Sequence, residues 1–260
     1  MLWIKEVVKS ADFGGTGPIF IVASDNREYI LKFRMSDEGM DIQNFNEYLG
    51  YKISQEFNLG ISPHEIKIIN IDELGYNEIQ KAYEKGKVSE NSLKYATQSF
   101  GPNIAIERLK NVQKTTSIEN NTFLSKVRFL DNLLMNRDRY VENPNILKDI
   151  NKEKYYAIDY GLSLLECRIY EALEDDYIEK YYMLLQECDI LKDSRYCFKG
   201  KEFSKKFDIN LFSAKISDII DSMPKEWEPI RHKVFIVELL SARLARKLKE
   251  GCKCPFELFR

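Results

Sequence analysis

Residues 136–143 read NRDRYVEN, and residues 155–161 read YYAIDYG. Around them, the short apolar runs PNIL and KYYAID are separated by the polar KDINK, a pattern that predicts a two-stranded hairpin centred near Asn151. Asn143 lies eight residues before that centre and Asp159 eight after it, so a regular antiparallel pairing sets them face to face, with Cβ atoms roughly 5 Å apart. Two oxygen donors at that separation suit magnesium, which takes one or two protein oxygens and completes its shell with water and substrate phosphates. Asp138, five residues before Asn143, then projects beside the metal as a group that orients an attacking hydroxyl. Taken singly, each of these residues is an ordinary turn former. Their order and spacing are what point to chemistry.

Working outward, Phe123, Val127, Leu130 and Leu134 form a helical stripe that runs into MNRD, so Asp138 opens a loop anchored by a buried helix. The first third of the chain reads mostly as strand: LWIKEVV, PIFIVAS, EYILKF, HEIKIINI and PNIAIERL are rich in branched and aromatic residues. One helix interrupts them over about 40–57, where Phe45, Tyr48, Leu49, Ile53 and Phe57 recur at helical spacing and Gly60 follows as a stop. Residues 76–96 read as a polar insertion or helix, and further helices are expected over 168–192, 211–222 and 229–249. The expected fold class is α+β in two lobes: an antiparallel sheet with one helix over 1–112, and a mostly helical lobe carrying the loop and hairpin over 113–260.

The chain has 260 residues, 44% of them apolar, enough for one large domain or two lobes sharing a cleft. With 39 Lys and Arg against 41 Asp and Glu, whole-chain charge gives no argument for a nucleic-acid or membrane-surface partner. MLWIKEVVKS lacks the basic and long apolar segments of a leader, and no run approaches the ~18 apolar residues of a membrane span, so a cytoplasmic protein is expected. The five cysteines are odd in number and irregularly spaced, as reduced thiols are. Cys252-x-Cys254, with His64 and His232 as the chain's two histidines, does not match a structural zinc site.

Phosphate chemistry also needs a phosphate cover and a cation. Gly14, Gly15 and Gly17, with Thr16 among them, precede the strand PIFIVAS, where missing side chains let backbone N–H groups approach phosphate oxygens. No Gly-Lys-Ser/Thr follows, so this is not a P-loop. Lys32 sits between Leu31 and Phe33 in a strand where a lysine is out of character. A lysine so placed reaches nucleotide phosphates and pairs with a helix glutamate, here Glu47 or, on the same helix, Glu56. Glu107 and Leu109, at the end of AIERL, lie where a segment joining two lobes offers backbone groups to adenine.

An aspartate, an asparagine five residues on, a hairpin and then Asp-x-Gly is the order of protein-kinase catalytic sites. From GGTGPIFIVASDNREYILKF through NFNEYLGYKISQEFNLGISP to NRDRYVENPNIL and YAIDYG, the sequence resembles the HipA-like serine/threonine kinases, a bacterial group with a two-lobed protein-kinase-like fold. The resemblance implies Mg2+ and ATP as cofactors, Asp138 as catalytic aspartate, Asn143 and Asp159 as metal ligands, Lys32 as an ATP contact and autophosphorylation at Thr16. Tyr140 stands where many relatives have histidine. The resemblance also implies a protein substrate and a cognate antitoxin or operon partner, while the charge balance and the lack of a long apolar run lead us to expect no nucleic acid bound directly and no membrane. A small-molecule kinase is the other enzyme reading, with the acidic stretch 172–180 as a source of groups for a cationic acceptor. A nucleotide-binding module with little turnover is the reading from outside the enzymes.

Overall fold

In a computed structural model of the chain, residues 1–11, 17–33, 42–63, 65–118, 120–136, 138–139, 143–164 and 208–250 are described. Burial alternates residue by residue over 28–32, and this alternation decides which of those side chains reach the cleft. Five strands, β1 (Leu2–Ser10), β2 (Ile19–Ala23), β3 (Glu28–Lys32), β4 (Ile66–Ile71) and β5 (Gly101–Glu107), close into a barrel in the order β1-β2-β3-β5-β4. The expected antiparallel sheet is thus found closed on itself. β1 meets β4 in parallel, Leu2 against Ile69 and Trp3 against Asn70. Local patterning does not specify a partner so distant in the chain.

Tyr29 and Leu31 of β3 point into the barrel core with Ile19, Ile21, Ile69, Ile71 and Ala105. Their neighbours Glu28, Ile30 and Lys32 therefore face the other way, into a cleft. Register extends that face across the sheet: Phe20 lies opposite Ile30, Ile30 opposite Ile106, and Lys32 opposite Ile104. All of them line the cleft.

Between β3 and β4 comes helix α1 (Ile42–Glu56), buried on nearly every side. Phe45, Leu49 and Ile53 join the main core, while Asn44, Glu47 and Tyr51 line the cleft. Asn58 and Gly60 end the helix in left-handed backbone, at φ +49° and +67°. The polar stretch between β4 and β5 forms two helices, α2 (Glu73–Glu84) and α3 (Glu90–Gln98), each started by a side-chain cap: Asp72 accepts from Gly75 N and Ser89 from Ser92 N.

The chain leaves the barrel after Glu107 and enters a three-stranded sheet of β6 (Val112–Lys114), β7 (Ile146–Asp149) and β8 (Lys154–Ala157). Helix α4 (Asn121–Leu134) and the later helices α5 (Ile209–Asp221) and α6 (Lys233–Glu250) pack around α1 into one core. Trp227, fully buried before a 3₁₀ turn at Glu228–His232, donates its indole N–H to Pro102 O of β5 at 3.1 Å and so ties the helical part to the barrel. The helix expected over 168–192, its acidic stretch and all five cysteines lie outside the described residues. Among the described residues no helix is long and apolar enough to cross a membrane.

Gly50 shows how tightly α1 meets the site. A Cβ placed there would lie 2.5 Å from Tyr160 Cγ and 2.7 Å from its Cβ, atoms too near the backbone to swing aside. Alanine gains up to about 1 kcal/mol in helix propensity over glycine, whereas forcing volume into a packed core costs about 1–3 kcal/mol. The clash wins. Gly50→Ala is expected to lower Tm, by about 2–4 °C for each kcal/mol of net loss; an unchanged or raised Tm by calorimetry would contradict this packing.

Candidate active site

Every element around the cleft delivers one part of a polar constellation. Lys32 ends β3 on its cleft face, and its ammonium lies 2.8 Å from Asp159 Oδ1 and 3.1 Å from Glu47 Oε1. Glu47, one turn before Gly50 on α1, also accepts from the Tyr160 backbone N–H through Oε2 at 2.7 Å. Lys32 thus joins barrel, helix and the segment after β8. Glu56 points elsewhere, to Lys215 at 2.7 Å.

Burial opposes the Lys32 charge, but Asp159 and then Glu47 outweigh it and hold its pKa above the usual lysine value. Asp159 is held below the ordinary carboxylate range, chiefly by Lys32. Glu47, almost fully buried, is pushed up by loss of solvent despite the lysine beside it. Asp138 is raised as well, first by burial and then by the negative charge of Asp159. Two carboxylates in one cleft are therefore pushed in opposite directions.

The loop that carries Asp138 begins where Met135 closes α4 in left-handed backbone, at φ +55°. Asn136 then shapes it: Oδ1 accepts from Asp138 N at 3.2 Å, and Nδ2 donates to Asp131 Oδ1 at 3.0 Å and to Asp159 O at 3.4 Å. Arg139 is buried beneath. Its Nε donates to Asp131 Oδ2 at 2.6 Å, and Nη1 lies within 3.0 Å of the carbonyls of Pro144, Asn145 and Ile158. Its guanidinium also stacks 5.1 Å from the Tyr160 ring centroid.

The hairpin differs from expectation by one residue. Asp149 pairs with Lys154 and Ile146 with Ala157, leaving the four-residue turn 150–153. Continued backwards, this register sets Pro144, not Asn143, opposite Asp159. Asn143 is exposed, and Asn145 occupies the cleft instead, with Nδ2 donating to Asp138 O at 2.8 Å and Asp138 Oδ2 at 3.1 Å. The signal that fixes the turn is Asp149, whose Oδ1 accepts from the backbone N–H groups of Asn151 and Lys152, both at 3.0 Å. Asn145 and Asp159 both hold left-handed backbone, at φ +49° and +67°, so neither projects as a regular strand residue.

The cleft has a volume of about 850 Å³, and its apolar walls come from Phe20, Ile30 and Ile106 above and Leu147 and Ile158 below. Glu107 and Leu109 line it along the segment between the sheets, with Arg108 stacked 4.4 Å from the Phe20 ring centroid. Gly17 lies near β2 at φ +58°; Gly14, Gly15 and Thr16 fall outside the described residues. Asp138, Asn145 and Asp159 offer oxygen donors alone, which fits a hard divalent cation. Among the described residues no group of three or more His, Cys, Asp or Glu side chains could hold a metal ion.

The sequence profile of the HipA-like kinases matches residues 4–256. Among curated proteins none matches significantly. The Golgi casein kinase with manganese and ADP bound is similar in structure at 13% sequence identity and a TM-score of 0.50, over 96% of this chain and 73% of that one. A second structure of the Golgi casein kinase gives 13% identity and a TM-score of 0.49, over 99% and 73%. The first likeness shows a protein-kinase-like fold, and with the match over nearly the whole sequence the chain belongs to the HipA-like kinase family: it is a kinase, a phosphotransferase.

Proposed function

We propose that the protein transfers the γ-phosphoryl group of ATP, with magnesium, to a serine or threonine hydroxyl of a protein. The observation that carries this reading is Lys32, shared between Glu47 and Asp159 at the edge of a cleft that also presents Asp138 and Asn145. That is the lysine–glutamate–aspartate arrangement that aligns nucleotide phosphates in kinases. The apolar slot between Ile30 and Leu147 suits a purine, and Lys32 reaches the phosphates. When bound, the divalent ion neutralises charge on the phosphate oxygens; Asp159 and Asn145 are the residues assigned to hold it, Asn145 being preferred to Asn143 because it lines the cleft while Asn143 is exposed. Asp138 orients the acceptor hydroxyl and takes its proton as the oxygen bonds to the γ-phosphorus and the bond to the β,γ-bridging oxygen breaks. Support for a nucleotide and a divalent ion also comes from the manganese and ADP in the similar Golgi casein kinase.

Four substitutions test the roles. Asp159→Asn keeps the side-chain size and a residue that tolerates left-handed backbone. It is expected to abolish metal-dependent ATP turnover while leaving the circular dichroism spectrum unchanged, and normal turnover would end the assignment. For the asparagines, Asn145→Ala is expected to reduce transfer at least about tenfold and Asn143→Ala less than about twofold. The opposite order in a radiolabel assay would restore Asn143 as the ligand.

Asp138→Asn is expected to cost transfer about a hundredfold or more with ATP affinity nearly unchanged. It also carries a stability signature. Because its folded pKa is raised above 3.8, ionised Asp138 opposes folding, an effect absent below that value and fully present once pH exceeds the raised pKa. The asparagine variant should therefore melt higher than the natural protein at neutral pH, and this advantage should vanish as the pH falls towards 3.8. A lower Tm at pH 7 would show that the carboxylate is not under strain.

A further inference from the structure

Three serines from distant parts of the chain meet beside the entry to β2. Ser10 ends β1, Ser89 caps α3, and Ser92, fully buried, lies in the first turn of α3. Ser92 Oγ donates to the backbone carbonyl of Gly17 at 2.8 Å. A carbonyl only accepts, which assigns the Ser92 proton to that bond. Ser92 Oγ is consequently the acceptor in its contacts with Ser10 Oγ at 3.2 Å and Ser89 Oγ at 3.0 Å. Ser10 Oγ in turn accepts from Ser89 N at 2.9 Å, and Ser89 Oγ accepts from Ser92 N at 3.2 Å. Each hydroxyl proton has one destination, and the network is closed.

The approach at Gly17 is tight. A Cβ there would lie 3.1 Å from Ser92 Oγ and 3.3 Å from Ser92 N, on a residue already at φ +58°. One residue on, Pro18 O accepts from Ala11 N at 2.7 Å, closing the β1–β2 pairing. Pro18 and Phe20 line the cleft, and Arg108 stacks on Phe20. Gly17 therefore links α3, which stands outside the cleft, to the part of β2 that roofs it.

We infer that Ser92 is a positioning residue for the nucleotide: through the Gly17 carbonyl it fixes where β2 begins, and so where Pro18 and Phe20 sit over the bound base and sugar. The α2–α3 insertion is a brace for the cleft, not a decoration of the barrel. This rests on the reading of the cleft as the ATP site. The test is ATP-analogue titration, steady-state kinetics and melting of the natural protein, Ser92→Ala, Ser92→Cys and Ser10→Ala. Cysteine fills nearly the same space with a weak donor, so it keeps the packing while losing the bond. Both Ser92 variants are expected to raise Kd and KM for ATP about threefold to tenfold, the range one lost hydrogen bond yields, with kcat at saturating ATP within about twofold. Ser10→Ala, which leaves the Ser92–Gly17 bond in place, should lower Tm with Kd within about twofold of the natural protein. Ser92 variants that melt lower but bind the analogue normally would overturn the positioning role and leave the ATP site intact. Failure of the natural protein itself to bind ATP would remove the ATP site and the inference together.

Discussion

A buried guanidinium holds the site together. Arg139 touches the end of α4 through Asp131, the loop through the carbonyls of Pro144 and Asn145, the residue after β8 through Ile158 O, and the Tyr160 ring. A lysine presents a point charge that cannot span these partners, whereas the planar fork offers donors at fixed angles. Desolvating such a charge is costly unless its partners are complete, and breaking the pair with Asp131 would leave an uncompensated ion in the core. The positions of Asp138 and Asp159 are both set within a residue of this group. The chemistry above it can vary only as far as Arg139 permits.

On that platform the charges are arranged to conflict. Asp159 gains from Lys32, and Asp138 loses from burial and from Asp159. A structure optimised for stability alone would neutralise one carboxylate. Strain of this kind is usual where a group must meet a charged or reacting partner that is absent in the free protein. Glu47 shares the conflict: Lys32 and the Tyr160 N–H hold it in place, yet burial still pushes its pKa up.

Much of this was legible in the sequence, for identifiable reasons. Period-two alternation in EYILK puts Tyr29 and Leu31 inside and leaves Lys32 on the opposite face, and helical spacing around Phe45, Leu49 and Ile53 sets Glu47 on the flank that meets it. What depended on a count of one residue was not: the hairpin centre is half a residue from Asn151, enough to set Pro144 rather than Asn143 opposite Asp159, and the left-handed backbone of Asn145 that accompanies it in the cleft carries no periodic signal. Arg139 was hidden because a charged residue in a polar loop carries no pattern that marks it as buried. The serine cluster joins positions about eighty residues apart, which no local periodicity encodes.

The parallel contact between β1 and β4 bears on how the chain is made. Leu2 pairs with Ile69, so β1 has one edge open during synthesis until β4 arrives. At about 5–20 residues per second, ribosomal synthesis leaves that edge exposed for roughly 3–13 s. An open edge of alternating apolar residues is a template for pairing with another nascent chain. In the finished barrel every strand has two neighbours, so the hazard belongs to synthesis and not to the folded state. Exposed Lys5, Glu6 and Lys9, spaced along β1, put charge on the waiting strand, as a guard against association during that interval.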